Sequence, residues 1–234
     1  MVKLFLDAGH GGKDSGAVGL GLKEKDLTLK IVKKIGVLLG DYDDVQVLYS
    51  RTGDTYPTLS ERAAMANKAK ADYFVSVHIN ATPSGTGFET FAYNSVSSKT
   101  VAYQNVMHGE IKKAMGNVRD RGKKRGNLAV LRETCMPAIL TENLFIDNPG
   151  DNKLLKQDSF LDKVAQGHVN GFVKMLGLKK KATVKQMETK TAAKQKSDGK
   201  LHKVQVGAFS DPKNAEKLAE ELKKKGYNTY IVKE

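Results

Sequence analysis

Val2-Lys3-Leu4-Phe5-Leu6-Asp7-Ala8-Gly9-His10-Gly11-Gly12 opens the chain as an apolar run that stops at a glycine-rich turn. The run reads as a buried strand, and the glycines mark the point where the chain reverses. Asp26 to Leu39 follows with Leu27, Ile31, Ile35, Leu38 and Leu39 at helical spacing, and Val45 to Tyr49 is again strand-like. Thr58-Leu59-Ser60-Glu61 has the form of a capping box and predicts a helix through Ala69. Tyr73 to Ile79 and Phe88 to Tyr93 are further β-runs, and residues 100 to 115 read as a helix. Leu128 to Leu131 and Ala138 to Thr141 are expected as short strands, before a closing helix from Phe160 to Leu176. Strands alternating with helices predict an α/β fold with a mostly parallel central sheet flanked by helices.

The whole chain has 234 residues with a net charge of +13, 40% hydrophobic content and one cysteine, Cys135. A single cysteine excludes an intrachain disulfide framework. No apolar run is long enough to span a bilayer, so membrane insertion is not expected. The N-terminal apolar stretch is too short for a signal peptide, which predicts synthesis in the cytoplasm.

The basic excess is uneven. Residues 1–178 carry a net of +5, residues 179–203 a net of +7, and residues 204–234 a net of +1. The Lys-rich segment 179–202 has almost no large apolar residues and reads as a solvated linker, which separates a domain at 1–178 from a small unit at 203–234. It also lacks aromatic residues, so nucleic-acid binding is a poor reading of the charge. In the C-terminal unit Val204-Gln205-Val206-Gly207-Ala208-Phe209 alternates as a strand. Asp211-Pro212 then opens a helix, and Asn228 to Val232 follows as a second strand, giving one small β-α-β unit.

Four polar residues stand where chemistry is expected. His10 lies in the glycine turn, His78 near the end of a β-run, Glu142 just past Ala138-Ile139-Leu140, and Glu24 in the loop before the first helix. Ligands of open α/β sheets bind beyond the carboxyl ends of strands. Two imidazoles and a carboxylate suit Zn²⁺ with a fourth position open, and the remaining glutamate suits a general base. The spacing alone leaves other readings open: His10 as a loop residue, His78 as a core histidine, Glu24 as a surface charge.

Phe5-Leu6-Asp7-Ala8-Gly9-His10-Gly11-Gly12 resembles the opening of the zinc-dependent N-acetylmuramoyl-L-alanine amidases of the amidase-3 family. The likeness continues through Gly21-Leu22-Lys23-Glu24, Ser50-Arg51-Thr52-Gly53-Asp54, Leu59-Ser60-Glu61-Arg62, Ser76-Val77-His78-Ile79-Asn80, Asp120-Arg121-Gly122, Val130-Leu131-Arg132-Glu133 and Pro137-Ala138-Ile139-Leu140-Thr141-Glu142. The resemblance implies a peptidoglycan hydrolase that cleaves the amide between N-acetylmuramic acid and L-alanine. It implies one Zn²⁺ held by His10, Glu24 and His78, with Glu142 catalytic. Asn80 is a candidate substrate contact or a strand-end hydrogen bond. Glu133 is a candidate for orienting a ligand histidine or for a surface ion pair with Arg132 or Lys124.

Two departures stand out. Ala8 replaces the usual proline, which should loosen the turn, and Leu144 stands where glycine is common, which should alter the backbone near Glu142. Some relatives insert an autoinhibitory helix between the second histidine and the catalytic glutamate. Only 63 residues separate His78 from Glu142 here, without an extra helical block, so an open site is expected.

The C-terminal unit resembles one half of a SPOR domain, which implies binding to peptidoglycan glycan strands and suggests a homodimer that pairs two half-repeats. An endolysin or a sporulation lysis enzyme fits this organisation, acting on the wall after holin release or cell lysis. The rival readings are a non-catalytic murein-binding protein and a zinc peptidase cutting within the stem peptide.

Overall fold

In the computed structural model, residues 1–82, 84–181, 207, 209, 211–224, 226, 227 and 229–232 are described. The chain forms two compact units, Met1–Lys181 and Ala182–Glu234. The first contains β1 (Val2–Ala8), β2 (Val18–Gly19), β3 (Leu22–Lys23), α1 (Glu24–Leu39), β4 (Val45–Tyr49), α2 (Leu59–Lys68) and β5 (Tyr73–Asn80). It continues with β6 (Phe88–Ala92), α3 (Ser98–Met115), β7 (Asp120–Arg125), α4 (Ala129–Arg132), β8 (Ala138–Phe145), α5 (Pro149–Leu155) and α6 (Asp158–Leu176).

Six strands form the sheet in the order β4-β1-β5-β8-β6-β7. The first four run parallel, β6 runs antiparallel to β8, and β7 runs parallel to β6. The mostly parallel sheet read from the β/α alternation is therefore present.

Alternation along the strands divides the side chains between two unequal faces. Leu4, Leu6, Val75, Val77 and Ile139 enter a large apolar core with α1, α3 and α6. Phe5, Phe74, Ala138 and Leu140 enter a smaller one with residues of α2 and α4. Three long helices close the first face. Among the described residues the second is roofed by a ten-residue helix and a single turn, which leaves polar residues near its strand ends within reach of solvent.

Local sequence explains several boundaries. The capping box at α2 is formed: Glu61 N–H donates to Thr58 Oγ1 at 3.3 Å and Thr58 N–H donates to Glu61 Oε2 at 2.7 Å. Helix α1 begins earlier than its apolar spacing predicts, so Glu24 is its first residue rather than part of a loop. Glu24 N–H is bonded to Ala17 O, and an acid in the first turn complements the helix dipole.

Leu128 to Leu131, expected as a strand, is instead the start of the one-turn helix α4; Leu131 and Arg132 N–H both donate to Leu128 O. A four-residue apolar run cannot distinguish the two by periodicity. Strand β7 and helix α5 carry too few apolar residues to register in the sequence pattern; α5 is started instead by the Asn148 cap and Pro149.

The backbone of Lys179 and Lys181 remains tied to Asp43 and Asp41 by hydrogen bonds, which extends the first unit past Leu178. Most of the Lys-rich segment, residues 182–202, lies outside the described residues. In the second unit α7 (Pro212–Lys224) is the expected helix. The expected first strand lies mostly outside the described residues, and among the described residues Thr229 to Val232 carry no strand assignment. No described helix is long and apolar enough to cross a membrane.

Candidate active site

Three elements bring the candidate ligands together. His10 follows β1, Glu24 starts α1, and His78 sits near the end of β5. One ligand atom from each lies within 4.8 Å of the others. His10 Nε2 is 3.2 Å from Glu24 Oε2, and His78 Nδ1 is 2.9 Å from Glu24 Oε1. The imidazoles meet edge to face with centroids 4.9 Å apart. Glu24 is 4% exposed, and the backbone N–H groups of Ala17 and Ile79 also donate to its carboxylate. Burial opposes ionisation of Glu24, but the hydrogen bonds from both imidazoles outweigh it and hold the carboxyl well below the usual range.

Two glycines make this crowding possible. A Cβ on Gly9 would lie 2.3 Å from His78 Cε1, and one on Gly16 would lie 2.6 Å from His10 Cδ2. The glycine-rich turn therefore serves close approach of the rings as well as chain reversal.

His10 itself has φ 61, a conformation unusual outside glycine. Two buried arginines hold it there. Arg62 donates to Asp7 Oδ1 at 2.7 Å and to the carbonyls of Ala8 and His10 at 2.6 and 2.7 Å. Arg51 donates to the carbonyls of Ala8 and Gly9 at 2.9 and 3.0 Å. Ala8, expected to loosen the turn, instead donates its N–H to Ser50 Oγ at 3.2 Å, a bond that proline could not make.

Asp14, which the sequence reading passed over, accepts from His10 Nδ1 at 2.8 Å and from Gly16 N–H at 2.9 Å. When a cation replaces the Nε2 proton that now bonds Glu24, Asp14 keeps the other ring proton on Nδ1 and leaves the Nε2 lone pair to the metal. The signal for Asp14 was its i+4 position after His10 inside the turn.

Glu142 lies on β8 directly across from His78 on β5 and from Glu89 on β6. These three side chains form a row across the open face. Glu142 Oε2 is buried and has no hydrogen-bond partner among the described residues. Burial, reinforced by Glu24 and Glu89, raises its carboxyl well above the usual range. An unsatisfied buried carboxyl costs free energy, so its retention beside three potential ligands marks a chemical position.

Leu144 has φ 76, in the left-handed region that suits glycine. The strain of about 1–2 kcal/mol is comparable to what full burial of a leucine contributes, about 1.5–3 kcal/mol.

Asn80 is engaged at both ends, donating to Glu89 Oε1 at 2.9 Å and accepting from Ala81 N–H at 2.8 Å. Glu133 pairs with Arg132 at 2.9 Å, the surface alternative. The second acid missed by sequence reading is Glu89, buried and held by Arg121 Nε at 2.6 Å and Lys124 Nζ at 2.5 Å. Helix α3, which separates His78 from Glu142 in sequence, packs into the far core and does not roof the site.

A family model described as N-acetylmuramoyl-L-alanine amidase matches residues 4–174, and a SPOR domain model matches residues 176–234. The SPOR match thus includes the segment read as a linker. The endolysin of Bacillus phage SPP1 is 55% identical over 187 residues, covering 78% of this chain and 69% of that protein. The sporulation-specific N-acetylmuramoyl-L-alanine amidase of Bacillus subtilis (strain 168) is 43% identical over 233 residues, covering 99% and 85%. The crystal structure of N-acetylmuramoyl-L-alanine amidase from Clostridium difficile 630 superposes with a TM-score of 0.72 at 38% identity, covering 75% of this chain and 97% of that one. That family is generally zinc-dependent, and the His-Glu-His cluster is a possible metal site. By its fold, by the match over most of its length and by these relatives, the chain belongs to the N-acetylmuramoyl-L-alanine amidase family and carries a SPOR domain behind the amidase domain.

Proposed function

We propose that His10, Glu24 and His78 hold one Zn²⁺ and that Glu142 is the acid–base residue of a peptidoglycan amidase. The substrate is the amide joining the lactyl group of N-acetylmuramic acid to L-alanine. The observation that supports this best is the row His78–Glu142, which sets an unpartnered buried carboxyl beside a two-imidazole, one-carboxylate donor set. That donor set fits zinc, with a fourth position left for water or substrate.

Zinc, when bound, supplies Lewis acidity toward the scissile carbonyl and lowers the pKa of water. His10 offers Nε2 because Asp14 retains the proton on Nδ1. Glu142 accepts the proton of the attacking water and then delivers a proton to the departing amine of L-alanine. Its buried, acid-flanked setting keeps its affinity for a proton high enough to serve both steps. Asn80 acts through Glu89, which it orients, rather than through direct contact with substrate.

The protein acts at the cell wall in this reading, with the C-terminal domain adding affinity for glycan strands. Mass spectrometry of digested walls tests it. Glycan strands freed of peptide and stem peptides with new L-alanine amino termini are expected, lost with chelator and restored by zinc. Products cut inside the stem, with the lactyl amide intact, would replace this reading with a zinc peptidase.

A further inference from the structure

The row across the open face does not end at Glu89. Arg121 on β7 donates its Nε to Glu89 Oε2 at 2.6 Å, and its guanidinium lies 4.8 Å from the centre of the Phe145 ring. Its two Nη groups make no hydrogen bond among the described residues, and its side chain is 25% exposed. Glu89 is already satisfied by Arg121, Lys124 and Asn80, so this end of the row carries more positive charge than negative. A guanidinium held over a ring and bonded through Nε alone leaves its two Nη groups as donors suited to a carboxylate.

We propose that Arg121 is a specificity-determining residue that binds a carboxylate of the stem peptide on the L-alanine side of the scissile bond. The inference rests on the amidase reading above. Reach supports the assignment. Adjacent strands are spaced by about 4.8 Å, which sets β7 about 10 Å from β8 and from Glu142. Two extended residues span about 7 Å, and the long arginine side chain leaning over Phe145 closes the remainder. The group at that distance is the α-carboxyl of the second stem residue, which is free when that residue is joined through its side-chain carboxyl and neutral when it is amidated.

The experiment compares two synthetic N-acetylmuramoyl tripeptides that differ only in whether that carboxyl is free or amidated, using the full zinc-loaded chain. The wild-type protein is expected to favour the free acid by about 10- to 100-fold in kcat/KM, the range of a charged hydrogen-bond pair. Arg121→Gln should erase the preference by slowing the free acid alone, and Arg121→Lys should retain part of it. A merely structural Arg121 would slow both substrates equally, and that result overturns the proposal. Equal rates for both substrates with the wild type overturn it too while leaving the amidase reading intact. Cleavage of neither substrate at the lactyl amide would overturn the amidase reading itself.

Discussion

Thr141 and Glu142 are neighbours on β8 that face opposite sides of the sheet, and their surroundings differ in kind. Thr141 points into the face closed by α1, α3 and α6. There its hydroxyl meets His168 Nε2 at 3.2 Å, while His168 Nδ1 donates to Val164 O at 2.8 Å. That histidine is fully buried with both ring nitrogens satisfied, and burial lowers its pKa to about 4. Glu142 points to the thinly roofed face and leaves Oε2 without a partner among the described residues. On the closed side a titratable group is neutral and matched, as stability requires. On the open side an acid is unmatched and surrounded by other acids and imidazoles, a costly arrangement that chemistry can use.

The comparison breaks first at Glu142. Glu142→Gln keeps the shape of the side chain and should lower kcat by about 10²- to 10⁴-fold, the usual contribution of a general acid–base residue, with zinc content unchanged. Release of amino groups from purified walls and the metal stoichiometry of the same sample check both halves. Near-normal turnover would show Glu142 to be no more functional than Thr141.

The closed side predicts a stability effect without a catalytic one. His168 has a folded pKa of about 4 against about 6.5 unfolded, so the unfolded chain binds the extra proton between these values. Its contribution is therefore complete above about pH 6.5 and is lost as the pH falls toward 4, by on the order of 3 kcal/mol. Urea unfolding of the wild type and His168→Gln across that window should show a steeper loss in the wild type. Parallel pH profiles would refute the buried neutral histidine.

The smallest effect sharpens the open side. Asp14→Ala removes the partner of His10 Nδ1 and should weaken metal binding by about 10- to 100-fold, with activity restored at raised zinc concentration. Competition against a calibrated chelator measures it, and an unchanged affinity would leave Asp14 a turn residue only.

Much of the fold was legible because its signals are local. The Thr58 to Glu61 cap, the helical spacing of Leu27 to Leu39 and the apolar runs of β1 and β5 each operate within a few residues. Where the local signal was short or polar, reading failed. Leu128 to Leu131 became a helical turn, and the charged β7 was missed because its pairing with β6, not its composition, makes it a strand. Of the candidate site, His10, Glu24, His78 and Glu142 were legible through resemblance. Asp14 and Glu89 were not, since their roles depend on which atoms face them after folding.

By itself the sequence determined the alternation of strands and helices, the caps and turns that bound them, and the identity of the residues able to bind a metal. Those properties follow from backbone propensity and side-chain chemistry over short distances. Only the tertiary structure decided that Glu24 would open a helix between two imidazoles, that glycines would admit both rings, and that Glu142 would be buried opposite His78 with no partner for Oε2 among the described residues. Those outcomes depend on strand order and register, which bring distant segments within hydrogen-bonding range and set the burial that shifts each proton.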